Sequence, residues 1–335
     1  AIAYAGSNVT DAKVVYRVHR KVEYPQWYFW YRPWFNSEPQ EITHGESITN
    51  DKGEFEITFK AIPDQSTDKS SLHIFNYEVT ADVTDLNGET RSATTIINVG
   101  YHALMANMSI DRVLNKAKKD HTITIDTRNL NGEFVPAKGT IKIYKLKAPA
   151  RVLRTRPWPV PDYQDISEEN FISLFPNDVY SDEQNSNQFE KGKLVLEKSF
   201  NTKNDKTFKL GKIKKWESGE YLITLESTDK FGQRVKDETK TTLYADADQK
   251  PADNHLFTIS SDKPTYTGGD MACITIGSTA QNITVTISIE KNKKIIKTET
   301  IKLSSNKQDI CVPVSPDDLG GFMVHYSFEA FNRYQ

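Results

Sequence analysis

From Tyr77 to Thr84 the chain alternates strictly: Tyr77, Val79, Ala81 and Val83 are apolar, while Glu78, Thr80, Asp82 and Thr84 are polar. A period of two puts the apolar set on one face of an extended strand and the polar set on the other. Val14, Tyr16 and Val18 follow the same rule, as do Tyr221, Ile223 and Leu225, and Phe322, Val324, Tyr326 and Phe328; helical periodicity is almost absent. Polar turns separate these runs. Asp85-Leu-Asn87-Gly88, Asn50-Asp-Lys-Gly53 and Asn129-Leu-Asn-Gly132 place Asn and Gly where a tight hairpin needs positive φ. Many short half-buried strands joined in this way predict an all-β chain of β-sandwiches, each burying one core between two sheets.

The pattern also repeats at long range. Residues 77–91, YEVTADVTDLNGETR, match residues 221–235, YLITLESTDKFGQRV, so that Tyr77, Thr80, Asp85 and Gly88 correspond to Tyr221, Thr224, Asp229 and Gly232. The offset of 144 residues is too long for a solenoid unit and suits successive domains. Three units are expected: residues 1–100, a sandwich lacking its first strand; 101–246, a sandwich with an insertion at about 148–192; and 247–335, a sandwich lacking its last strand. The chain is therefore read as a piece of a longer one.

Composition narrows the function classes. With 43 Lys+Arg against 45 Asp+Glu the formal net charge is −2, which leaves no surplus to neutralise phosphates, so nucleic acid is not an expected partner. No window approaches the roughly 20 apolar residues of a membrane-spanning helix, and the first residues, AIAYAGSNVT, lack the basic and apolar regions of a signal peptide. The seven histidines are scattered without metal-ligand spacing, and no nucleophile elbow or phosphate loop accompanies them. Neither an enzyme nor a cofactor or metal site is expected. Asp85-Leu-Asn87-Gly88-Glu89 resembles a calcium loop only superficially, because the distal bidentate Glu is missing.

Several segments, in order, carry a family resemblance: AKVVYRVHRK, TNDKGEFEITFKAIPD, YEVTADVTDLNGETRSATTIINVGY, NLNGEFVPAKGTIKIYKLKAP with RTRPWPVPD behind it, GSTAQNITVTISIEKNKKIIKTETIKLSS, and GGFMVHYSFEAFNRY. Together they resemble the macroglobulin domains of bacterial α2-macroglobulin-like proteins of the large type found in Bacteroidetes, over nearly the whole chain. The resemblance implies tandem fibronectin- or immunoglobulin-like sandwiches in a periplasmic or cell-envelope protein that entraps proteases, with other domains of the same parent chain and target proteases as partners. It also implies, in many members, a thioester within Cys-x-Glu-Gln. Cys273 and Cys311 are the only cysteines and neither precedes Glu-Gln, so that chemistry is not expected in this stretch. An exported compartment would permit a disulfide between the two; two buried free thiols are the alternative.

Two stretches break the strand rhythm. In residues 148–191 the alternation stops. Arg151, Arg154 and Arg156 precede a proline-rich run around Trp158, and residues 162–190 then carry eight acidic residues and no Lys or Arg. Asp165-Ile-Ser-Glu168 reads as a capping box for a short helix from Glu169 to Phe175. The expectation is a folded insert that packs on its own sandwich, buries Trp158, Phe171, Leu174 and Phe175, and turns its arginines to the acidic segment; an exposed bait loop is the competing reading. In the other stretch, residues 24–35, eight of twelve side chains are aromatic. Trp27, Tyr28, Trp30, Tyr31, Arg32 and Trp34, together with Trp158 of the first stretch, are candidate interdomain or ligand contacts. A patch of that size is not normally left exposed, which favours an interdomain clamp over a glycan- or protein-binding surface or a membrane-dipping loop.

Overall fold

The computed structural model describes residues 1–2, 6–24, 38–156, 158–291, 293–318 and 320–334. The chain is an all-β tandem of immunoglobulin-like sandwiches. No helix among the described residues is long and apolar enough to cross a membrane.

The first sheet has the order β2-β1-β3-β4, built from β1 (Lys13–Glu23), β2 (Gln40–Ile48), β3 (Ile74–Thr84) and β4 (Thr90–Gly100). The alternation in β3 is realised: Phe75, Tyr77, Val79 and Ala81 are buried and lie on one face with Val14, Val18 and Val22 of β1. Two parts of this unit depart from the link between alternation and strand. The segment beginning at Glu54 alternates in burial, with Ile57 and Phe59 against the sheet, but it forms no ladder among the described residues. Its side chains supply a layer without a second set of backbone hydrogen bonds. Conversely, β2 was not anticipated, because Ile42 is the lone apolar residue it packs into the core.

The second unit is a two-sheet sandwich. One sheet, in the order β10-β7-β5, comprises β5 (Met105–Ser109), β7 (Thr122–Arg128) and β10 (Thr207–Lys209). The facing sheet, in the order β6-β12-β11-β8-β9, comprises β6 (Val113–Asn115), β8 (Lys138–Lys147), β9 (Glu190–Asn201), β11 (Gly219–Thr228) and β12 (Arg234–Tyr244). Ile123 and Ile125 from the first sheet meet Ile141, Ile143, Tyr221, Ile223 and Leu225 from the second in one core. The third unit stacks β13 (Thr258–Ser261), β14 (Met271–Ser278) and β17 (Asn306–Pro313) on β15 (Ile283–Lys291), β16 (Lys294–Leu303), β18 (Met323–Ala330) and β19 (Arg333–Tyr334), burying Ile276, Val285, Ile287, Leu303 and Phe328.

The repeated turn motif is one device used four times. Asp85 Oδ1 accepts the N–H groups of Asn87 and Glu89 at 2.9 Å each, and Gly88 N–H returns to Asp85 O. Asn50, Asn129 and Asp229 bind residues two and four further on in the same way. Only the glycine adopts positive φ, 85° at Gly88 and Gly232. The loop is thus a turn closed by a left-handed glycine rather than one needing positive φ at Asn as well. The acidic or amide oxygen is committed to backbone donors, which accounts for the calcium-like spacing.

Candidate functional site

Of the residues singled out from sequence, Trp27, Tyr28, Trp30, Tyr31, Arg32 and Trp34 lie outside the described residues. Trp158 lies in the insert and is 56% exposed, and the two cysteines lie in the third sandwich. What the described residues do reveal is a set of polar junctions between successive units, which the strand pattern did not announce.

The insert runs between β8 and β9. Its helix α1 (Glu168–Leu174) is capped by Ser167, two residues beyond the expected Asp165, and Glu168 and Glu169 stand at its positive end. No residue of this helix is buried, and Leu174 and Phe175 are exposed. The expected apolar anchor of Trp158, Phe171, Leu174 and Phe175 is therefore replaced by Leu153, Val179 and a polar frame, within which Phe171 rests on Phe175 and Tyr180.

That frame consists of the three arginines. Arg154 forms a two-pronged pair with Asp178, Nε to Oδ1 at 2.5 Å and Nη2 to Oδ2 at 2.8 Å, with both residues buried. The Asp178 carboxylate, as hydrogen-bond partner first and as a neighbouring charge besides, raises the guanidinium pKa against the pull of burial. Arg151 donates to Pro176 O at 2.8 Å and Asp178 O at 3.0 Å and pairs with Glu183 at 3.1 Å. Burial opposes the Glu183 charge, yet the N–H groups of Ser181, Glu183 and Tyr180, with Arg151, hold its carboxyl below the usual range. Arg156 donates to Val179 O and Tyr180 O. The arginines face the acidic segment as expected, though mostly through its carbonyls.

The insert also leaves its own sandwich. Arg154 Nη1 donates to Phe331 O at 2.7 Å, across 177 residues, and Val152 packs against the third core. Asn254 Nδ2 donates to Pro149 O at 2.7 Å. Packing on the second sandwich alone was expected; the structure shows the insert bridging two, with Lys240 Nζ to Ser186 O at 2.7 Å as its tie to the second.

Beside it, the connection after β12 is pinned by two aspartates. Asp248 accepts from Ala245 N, Ser218 Oγ and Lys116 Nζ. Its acidity is increased because these donors outweigh burial. Asp253 Oδ1 receives Lys145 Nζ at 2.6 Å while Oδ2 accepts Glu220 N–H at 2.6 Å. Asp253 and Asn254 take φ of 53° and 54°, a left-handed pair that short polar side chains tolerate. Gly219, at φ 124°, leaves room for the Asp253 carboxylate, with which a Cβ would collide. The signal in the sequence was the Asp-Asn pair after Pro251 together with Gly219, too small to separate from an ordinary loop.

The first junction is partly aromatic. His73 packs edge-on to Phe75 and Tyr101, and Leu72 enters the core of the second sandwich. Ala103 N–H donates to Asp229 Oδ2 at 2.8 Å, and Asn98 Nδ2 to Leu130 O at 2.9 Å. A cavity of about 410 Å³ opens here, lined in part by Tyr24, Leu72, His102, Met108 and Asp237. Burial pushes the Asp237 carboxyl up to about 6, with Glu238 adding to the effect, although Met108 and Glu238 N–H groups restrain it. Among the described residues, no group of three or more His, Cys, Asp or Glu could hold a metal ion.

Cys273 and Cys311 are directly opposite in the β14/β17 ladder, with Cα atoms 4.1 Å apart and their sulfurs joined. Cys273 N–H turns away from β17 to Asp262, so the two cysteines occupy a narrow, non-hydrogen-bonded site of the ladder, where side chains approach most closely.

No family model matches the chain, and no curated protein does. Among solved structures, the native Escherichia coli α2-macroglobulin overlaps 98% of this chain and 20% of its own at 10% identity and a TM-score of 0.34. A Salmonella α2-macroglobulin mutant overlaps 97% and 21% at 11% identity, also with a TM-score of 0.34. A tandem repeat from the extending region of a large adhesion protein overlaps 97% and 65% at 12% identity and 0.26. The chain thus spans about a fifth of the two α2-macroglobulins. At such identities and TM-scores the likeness assigns neither family nor activity.

Proposed function

We propose that this chain is a structural scaffold: consecutive sandwiches, with boundaries near residues 100 and 246, held in fixed relative geometry within a bacterial α2-macroglobulin-like protease-trapping protein of the cell envelope. The observation that carries the scaffold reading is the buried Arg154–Asp178 pair, whose third guanidinium nitrogen, Nη1, donates to Phe331 O of the next sandwich. A loosely strung tandem would leave such a group in water, since a buried charge is costly unless it is paired and hydrogen-bonded. The trapping role rests on the segments that resemble macroglobulin domains. The cysteines are engaged with each other rather than in a thioester, so any covalent capture would be performed elsewhere in such a protein. The paired cysteines also suit an oxidising compartment.

The test is to incubate the complete gene product with a general protease and look for three things together: cleavage at one preferred segment, compaction, and protease retained through denaturation. Degradation without retention would remove trapping and leave the scaffold alone. The binding-module alternative, using Trp27, Trp30, Trp34 and the half-exposed Trp158, is separated from it by tryptophan fluorescence. Acrylamide quenching relieved by a soluble glycan supports a binding surface, and indifference to glycans supports a clamp.

A further inference from the structure

Every sheet in this chain ends in strands that could pair with another polypeptide, and nearly all of them carry a feature that discourages it. Among the described residues, β5, β6, β10, β13 and β19 are five residues or shorter. The longer edges β2, β9 and β16 each sit in a ladder with a register shift and bear charged residues: Glu41 and Glu46 on β2, Lys193 and Lys198 on β9, Lys297 and Lys302 on β16. The remaining long edge, β17, carries Lys307 and Asp309 and ends at Pro313.

β4 carries one charged residue, Arg91 at its second position, and none of the other devices. It is eleven residues long and pairs with β3 without a register shift. From Ser92 to Tyr101 it contains no charged residue and no proline. Among the described residues both of its faces are open from Thr90 to Ile97, with Ile96 57% and Ile97 42% exposed. The Leu130 turn reaches only its last residues, through Asn98 and Gly100.

We infer that the β4 edge is an interaction surface whose occupant is β4 of a second copy of this chain, paired antiparallel about a two-fold axis near Thr95. The choice of a second copy follows from self-complementarity. An isologous strand pair sets each side chain against one from the same short list, so a charged edge repels itself and an uncharged one does not. With the axis near Thr95, the partners are the side chains of residues 93–97, of which Thr94, Thr95, Ile96 and Ile97 are β-branched and suited to cross-strand contact. The pairing joins two four-stranded sheets into one of eight and supplies partners for the outward N–H and C=O groups of β4.

Sedimentation of the 335-residue chain between about 1 and about 500 µM, a range that spans the affinities of small interfaces, reads this directly. The expected result is a reversible monomer–dimer equilibrium with hydrogen exchange at Ser92–Ile97 slowing as concentration rises. Thr95→Lys and Ile96→Lys, on opposite faces of the strand, are each expected to weaken the dimer roughly tenfold or more, because the two-fold places each new charge near its copy. Leu86→Lys, at the neighbouring hairpin tip, is expected to leave the equilibrium unchanged. A chain that stays monomeric throughout overturns the inference and leaves the edge to a strand from some other polypeptide. A dimer indifferent to both edge lysines, or one equally sensitive to Leu86→Lys, overturns it too. Exchange at β4 in the unsubstituted chain decides the matter even if a variant fails to fold.

Discussion

Single side chains decide whether the junctions hold. Removing the guanidinium in Arg154→Met strands the Asp178 carboxylate in a buried site, and breaking a pair of this kind costs about 3–5 kcal/mol. Replacing both partners, as Arg154→Met with Asp178→Leu, is expected to recover most of that loss, and hydrogen exchange across residues 150–180 would show the single change but not the double one. Gly219→Ala fails for two reasons at once, positive φ and collision with Asp253, and is expected to cost more than about 1 kcal/mol and to release Lys145. Asp237 gives a pH dependence of unusual sign. Its folded pKa, about 6, lies above the ordinary 3.8, so the folded state binds the extra proton between those values and stability falls as pH rises from about 4 to about 6. Asp237→Asn is therefore expected to match the parent near pH 4 and to exceed it near pH 7 by on the order of 2–3 kcal/mol, in paired denaturation curves at the two pH values. Glu183 and Asp248, held below their ordinary values, work the other way, and their contribution is lost as pH falls through their folded pKa values.

At the scale of elements, the strands were legible wherever one face meets a core. The alternations at Tyr77–Val83, Tyr221–Leu225 and Val14–Val18 lie within β3, β11 and β1 because a half-buried strand imposes a period of two on its side chains. The pattern does not announce β2 because that strand contributes one apolar contact, and the segment after Gly53 alternates like a strand although its backbone has no ladder among the described residues. Alternation reports which way side chains point and says nothing of hydrogen-bond partners. The insert was legible as a break in rhythm, and its arginines as partners of the acidic stretch. Its destination was not, since Phe331 contributes a carbonyl, which every residue has. The same arginines distinguish a folded insert from a bait loop. Their guanidinium groups are occupied by Asp178, Glu183 and the carbonyls of Pro176 and Tyr180, so brief trypsin treatment is expected to spare the bonds after Arg151 and Arg154. Early fragments beginning at Val152 or Thr155 would restore the bait reading. In the third sandwich, closing a 38-residue separation by the Cys273–Cys311 bond is worth about 4 kcal/mol by loop-closure entropy. Alanine at both positions is expected to lower the denaturant midpoint of that unit alone, and thiol titration of the unfolded chain should give no free thiol before reduction and two after it.

For the molecule as a whole, each unit keeps its own core, crossed only by single side chains such as Leu72 and Val152, and the joints are largely polar, an arrangement that fixes geometry without merging the folds. Apolar surfaces at such joints would be indifferent to orientation, whereas the directed hydrogen bonds accepted by Asp253 and donated by Asn254 and Arg154 allow only one. The insert changes what happens when the chain is pulled from its ends. Between the second and third sandwiches tension does not travel through the covalent connection alone. It divides between that connection, tacked down at Asp248 and Asp253, and a second strap running from β8 through Val152 and Arg154 to Phe331. Two straps in parallel share a load that either would otherwise bear singly, so the joint should yield in steps under force, with the strap letting go before either sandwich unravels.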